Sequence, residues 1–229
     1  MISVGYTLRF RSNPIRAREL LSQGAIGPLL TLQMSQLMYL GHTPAANYPW
    51  YRDPENLGFL IDALPHTVDF VRWSTGADVS RVAAFCRTFN RERPLVEDTT
   101  AGLLEFSNGM ICTTNVSCAL PAPFPGEVTR IRMIGKTGIL DFDAFGDMHI
   151  SDGEKWRLVC SQPHIAYAHP DDAFRGARIK SYCDQMQSFI DGVHGLPMQA
   201  GNGADGRAGV AAALGMLTSS REHRLVEVH

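Results

Sequence analysis

"TTAGLLEFSNGMICTTNVSC", residues 99–118, is two strand-length runs around a turn. Thr, Leu, Ile, Val and Phe dominate both runs, as expected of chain that lies on a pleated, half-buried surface. Between them stands Asn108-Gly109, a dipeptide suited to the positive-φ turn of a hairpin. The stretch therefore predicts two neighbouring antiparallel strands. The plan recurs downstream in "TRIRMIGKTGILDFDAF" (129–145) and in "DMHISDGEKWRLV" (147–159), which turns at Asp152-Gly153. "VSRVAAFCRTF" (79–89) supplies a further β run upstream. Successive hairpins imply an antiparallel meander.

Helical patterns lie on either side of this block. Residues 2–9 and 28–38 read as strands, with a short helix between them that Asn13-Pro14 opens and Gly24 ends. "GHTPAANYPWYRDPENLG" (41–58) is a long loop, and long loops are often functional. A helix follows over about 56–74. Another runs over 170–193, with Phe174, Tyr182, Met186, Phe189, Ile190 and Val193 on one side. The last helix spans about 207–221, before a short strand at Leu225–Val228. The fold class expected is α+β: a large, mainly antiparallel β-sheet with helices packed on one face. "LLTLQMSQLMYL" (29–40) and "GMICTTNVSCAL" (109–120) carry apolar and small residues on both parities. The open face is accordingly expected to pack on a second copy, as a homodimer or tetramer.

Composition narrows the function. With 229 residues, 45% of them hydrophobic and 19% charged, the chain can bury a sizeable core. A net charge of -2 gives no basic field for nucleic acid or an anionic membrane. The five cysteines are scattered and form no C-x-x-C pair, so neither a zinc ribbon nor a disulfide framework is expected. A reducing cytoplasm is the expected location. No apolar run reaches membrane-spanning length.

Three stretches imitate binding motifs. "GNGADG" (201–206) fits G-x-G-x-x-G, and Glu227 falls about 20 residues on, where an acid would grip a ribose. A nucleotide loop needs a βαβ unit and further parallel strands behind it, yet only one short strand follows. A surface loop entering a helix, with Asp205 or a neighbour as N-cap, is the expected structure. "DFDAFGD" (141–147) echoes a calcium loop, but Phe145 replaces an oxygen donor; it reads as a strand with acids facing water. His164, His169, Asp171 and Asp172 have metal-ligand chemistry but nothing that fixes their geometry.

"NLGFLIDALPHTVDFVRWSTG" (56–76) is the informative helix. At 100° per residue Leu57, Leu60, Ile61, Leu64, Val68 and Val71 share one face. Asp62, His66, Asp69 and Trp73 share the opposite one, and Pro65 should strain the turn between them. An Asp-His-Asp stripe can hold a polar substrate and move a proton, since histidine titrates near neutrality. Such a stripe is expected to face water or a partner domain.

This helix resembles the D-x-x-x-H helix of the glucose–fructose oxidoreductase / inositol dehydrogenase (Gfo/Idh/MocA) family. "VGYTLRF" (4–10) with "LLSQGAIGPLLTLQ" (20–33), "VEDTTAGLLEFSNGMICTTNVS" (96–117) and residues 201–228 resemble other family segments, in the same order. The resemblance covers nearly the whole chain. It implies that residues 1–229 are the C-terminal substrate-binding and oligomerisation domain. The family's glycine loop and its catalytic lysine, in a Glu-Lys-Pro motif, belong to an N-terminal dinucleotide-binding domain that is absent from this sequence. Asp62 would hold substrate hydroxyls, and His66 would manage the proton. Arg9 and Asp69 match positions that often line the same cleft. The cofactor implied for the complete enzyme is NAD or NADP, with none expected on this chain alone, which should be inactive by itself. The substrate implied is a sugar, cyclitol or related polyol. The alternative is a stand-alone, non-redox ligand-binding or assembly module.

Overall fold

The computed structural model describes residues 1–38, 53, 58–89, 96–121, 127–162 and 176–229. His164, His169, Asp171, Asp172 and Phe174 lie outside them, as does nearly all of the 41–58 loop. In chain order the elements are α1 (Ser12–Ser22), β1 (Leu29–Met38), α2 (Leu60–Thr75), β2 (Val79–Arg87), β3 (Thr99–Phe106) and β4 (Ile111–Ser117). Then come β5 (Glu127–Gly135), β6 (Ile139–Asp143), β7 (Met148–Ser151), β8 (Trp156–Cys160), α3 (Gly176–Val193), α4 (Gly203–Glu222) and β9 (Val226–Glu227). Among the described residues the strands form one sheet, ordered β8-β7-β6-β5-β1-β4-β3-β2-β9. The class is α+β, with a mainly antiparallel sheet.

The hairpin at Asn108-Gly109 forms as its sequence requires. Gly109 adopts φ 84°, and Phe106 and Met110 close the turn through the Phe106 N–H and Met110 carbonyl at 2.9 Å. The expectation of an unbroken meander needs correction. Strand β1 inserts between β4 and β5, parallel to β4 and antiparallel to β5. It can do so because a strand with Leu32 and Met34 toward the helices, and both backbone edges bonded, belongs at the centre of a sheet.

Leu32, Met34, Leu104, Cys112, Val116, Ile131, Met133 and Leu140 project from one sheet face into the core. Helices α2 and α4 cover them, through Leu64, Val68 and Val71 of α2 and Ala212, Ala213 and Met216 of α4. Helix α2 runs unbroken through Pro65. The ring lies so close to Gly209 that a Cβ there would come within 2.9 Å of it. Helix α4 also finishes the edge of β2. Beyond the short β9 pairing, the Ala84 and Cys86 N–H groups donate to the Ser219 and Ser220 hydroxyls at 3.1 and 2.7 Å. No helix among the described residues is long and apolar enough to cross a membrane.

The other sheet face is more polar than the sequence pattern suggests. Gln33, Thr113, Asn115, Arg130 and Arg132 occupy its centre. Apolar exposure gathers at Phe85, Leu103 and Ile111, which run diagonally across three paired strands. The described part of the α3 stripe is also turned outward, at Met186, Ile190 and Val193.

Four further readings are corrected. Residues 2–9 do not form a strand: Val4 makes a single bridge to Gly201, and Thr7–Phe10 is a 3-10 turn that buries Leu8 and Arg9. Asn13 caps nothing; its buried amide donates to the Asp143 and Gly146 carbonyls at 2.7 and 2.8 Å. Of the acids in "DFDAFGD", Asp147 is exposed as expected, but Asp141 and Asp143 are buried. Asp141 lies beneath Arg130 and Arg132, and the Asp143 carboxylate accepts the Phe145 N–H. Helix α4 starts at Gly203 rather than Arg207, with Asn202 as its N-cap.

Candidate functional site

The N-terminus of α2 is held by Glu97, whose carboxylate accepts the Leu60 N–H at 2.5 Å. The preceding residue but one is Gly58, with φ 61°, where any side chain would collide with that carboxylate. This fastening fixes where Asp62 and His66 emerge one turn apart. Asp62 is exposed and His66 half-buried. The His66 ring stands edge-on to Tyr6, with centroids 5.6 Å apart. Next to it, the Thr67 hydroxyl donates to Gln36 Oε1 of β1 at 3.2 Å.

Two adjoining cavities, of about 240 and 220 Å³, share Gln36, His66, Glu127, Arg178 and Tyr182. Asp62 lines the second, Arg11 and Thr129 the first. Together they make one groove between α2, the β1–β5 seam and the start of α3. Arg178 is ion-paired to Glu127 at 2.7 Å. The guanidiniums of Arg11 and Arg178 lie 4.7 and 5.5 Å from the Phe145 ring centroid. Such a groove can hold a small hydroxylated molecule with an acid–base pair at its wall.

Of the four residues singled out in the sequence, the structure brings Asp62 and His66 into this groove. Arg9 and Asp69 line neither cavity. Asp69 is fully buried, contrary to a water-facing stripe, because Arg9 clamps it through two hydrogen bonds of 2.9 and 2.6 Å. Arg9 also meets Asp205 at 2.9 Å, and Arg72 meets the other oxygen of Asp205 at 2.9 Å. Burial works against the charge on Arg9, but Asp69 and Asp205 outweigh it and raise its pKa above the ordinary value. This network ties the N-terminal segment, α2 and α4 together behind the groove. Gln36, Glu127, Arg178 and Arg11 were not legible as groove residues. They come from β1, β5, α3 and the residue before α1, and no spacing in the sequence links them.

Two of the three motif glycines have a packing explanation. A Cβ on Gly201 would fall 2.8 Å from Tyr6, and one on Gly206 2.9 Å from Val4. The amides that a pyrophosphate would need are spent. Ala204 and Asp205 donate to the Asn202 side chain, and Gly206 donates to its carbonyl. Nor does any group of three or more His, Cys, Asp or Glu residues among those described form a metal site.

A family model described as the GFO/IDH/MocA C-terminal domain matches residues 15–141. The chain belongs to the Gfo/Idh/MocA family. A mouse relative, glucose-fructose oxidoreductase domain-containing protein 1, is 21% identical over 183 residues, which is 76% of this chain and 46% of that protein. An oxidoreductase domain protein from Kribbella flavida superimposes with a TM-score of 0.77 at 22% identity, covering 99% of this chain and 65% of the other. An Agrobacterium radiobacter oxidoreductase in complex with NAD+, L-tartaric acid and magnesium gives 0.77 at 21%, covering 98% and 64%. Levoglucosan dehydrogenase in complex with NADH and levoglucosan gives 0.78 at 17%, covering 98% and 66%. The chain thus spans about half of the mouse relative and just under two thirds of these structures.

Proposed function

We propose that residues 1–229 are the substrate-binding and oligomerisation domain of an NAD- or NADP-dependent oxidoreductase acting on a hydroxyl of a sugar, cyclitol or related polyol. The observation that carries this is the pair Asp62 and His66, one turn apart on a fastened helix and facing one groove. Solved structures of the same fold hold NADH with levoglucosan, or NAD+ with L-tartaric acid, which supports a hydroxyl-bearing substrate. In this reading the dinucleotide lies on a domain outside these residues, because Gly201 and Gly206 pack against Tyr6 and Val4 and the Ala204, Asp205 and Gly206 amides are bonded to Asn202.

When bound, the nicotinamide dinucleotide supplies the hydride acceptor. This chain handles the proton. As a secondary alcohol becomes a carbonyl, its hydroxyl proton passes to the His66 imidazole. The Asp62 carboxylate accepts a hydrogen bond from a substrate hydroxyl and fixes the orientation. The lysine implied by the family resemblance would share the proton with His66 from the other domain. The open sheet face, with Phe85, Leu103 and Ile111 exposed, supports association with a second copy.

In the complete enzyme, His66→Ala should lower turnover by about 10² to 10⁴ and leave cofactor affinity nearly unchanged. Asp62→Asn should weaken substrate binding and turnover together. Unchanged steady-state rates in His66→Ala would remove the histidine from the chemistry. Reduction of NAD or NADP by the 229-residue chain alone, with any polyol, would refute the domain reading.

A further inference from the structure

We propose that the groove takes a polyol bearing a carboxylate, a sugar acid, and that Arg11 receives that carboxylate. The inference rests on the polyol reading above and narrows its substrate class. Arg11 is 4% exposed, and its Nε is buried without a hydrogen-bond partner. Among the described residues no carboxylate pairs with it; Glu127, on the same cavity, is engaged by Arg178 at 2.7 Å. A guanidinium shut away from water with no carboxylate bonded to it is costly.

The cost is visible in its surroundings. Burial, and then repulsion from Arg178, lower the Arg11 pKa to about 10, although Glu127 and Tyr182 pull the other way. The Phe145 ring, 4.7 Å from the guanidinium carbon, offers it a π face but no hydrogen-bond acceptor. Among the described residues, the first cavity is lined by two guanidiniums, Arg11 and Arg178, and one carboxylate, Glu127. A neutral polyol leaves this imbalance in place. A carboxylate removes it, and its two oxygens match the fork of arginine donors.

The order of residues along the groove orients such a ligand. Arg11 lines only the first cavity, Asp62 only the second, and His66 both. A sugar acid with its carboxylate at Arg11 extends its hydroxylated carbons past His66 toward Asp62. The reacting hydroxyl is then one along the carbon chain, away from the acid end.

The test is titration of the 229-residue chain with D-gluconate, D-glucitol and acetate near neutral pH, followed by NMR. D-Gluconate should bind about tenfold or more tighter than D-glucitol, as a charge-assisted hydrogen bond requires. Arg11→Met should erase that preference. Equal affinity for D-gluconate and D-glucitol, unaffected by Arg11→Met, would overturn the sugar acid and leave the polyol reading standing. Acetate binding as tightly as D-gluconate would keep an anion site but overturn both the sugar acid and the polyol reading. No binding by any probe would overturn the proposal. Should Arg11→Met fail to fold, the Arg11 Nε–H resonance of the unaltered chain decides. A shift with D-gluconate and not with D-glucitol supports the proposal, and no shift overturns it.

Discussion

Burial pushes the Glu97 carboxyl up to about 7, against the Leu60 and Phe59 N–H groups that favour its charge, while Asp98 adds repulsion. Its folded value lies above the ordinary 4.5, so folding favours the protonated form. That stability is complete below about pH 4.5 and disappears as the pH rises through about 7. Denaturation midpoints should fall between pH 5 and 8 by the equivalent of at most roughly 3 kcal/mol. Glu97→Gln, which keeps the acceptor for Leu60, should flatten the profile; the same slope in that variant would assign it to another group. Asp69 is held differently. Asp69→Ala leaves the buried Arg9 with Asp205 as its one carboxylate, beside the Gln199 carbonyl, and should cost about 3 kcal/mol in urea unfolding. A loss under about 1 kcal/mol would show that Asp205 compensates. Asp62 and His66 were legible because a four-residue spacing on a helix is local. The partner of Asp69 was not, since Arg9 lies 60 residues away in sequence. Burial of the stripe at Asp69 follows from that long-range pairing.

Among the elements, α4 shows how a motif can mislead. The Asn202 side chain accepts from the Ala204 and Asp205 amides, and Asp205 returns a bond to the Asn202 N–H at 3.0 Å, a reciprocal capping box. Asn202→Ala should destabilise the chain by about 1 kcal/mol. No change in the thermal midpoint would mean that the Arg9 and Arg72 contacts to Asp205 hold the helix start unaided. The hairpins were legible because their turns are encoded by adjacent residues, as at Asn108-Gly109. The parallel β1–β4 pairing was not. Thr31 pairs with Ile111, and no local pattern names a partner that far along the chain. Residues 2–9 misled because alternating apolar character also suits a segment packed against α2 and α4 by single side chains. The groove itself was half legible: α2 announces its pair, whereas Gln36, Glu127 and Arg178 meet only when β1, β5 and α3 do.

For the whole molecule, the open face bears Phe85, Leu103 and Ile111 exposed at 64%, 50% and 52%. Their cross-strand alignment makes one patch rather than three isolated side chains. Light scattering of a dilute solution should report a dimer or tetramer, and Leu103→Lys with Phe85→Lys should dissociate it. A well-folded monomer of the unaltered chain would refute association through this face. Strand β1 carries a different consequence. It joins two sheet halves, β2 to β4 and β5 to β8, whose own pairings are all between sequence neighbours. Each half can form quickly, but the join must close two long loops and comes later. During synthesis, residues 29–38 leave the ribosome well before 127–135 exist to pair with them. Until β4 emerges Leu32 and Met34 lie on a strand with both edges open, and until β5 follows one edge stays open, a form of nascent chain prone to pair with a neighbour. Translation speed between β1 and β5, and whatever binds nascent chains in that interval, should govern the yield of folded protein more than the stability of the finished sheet.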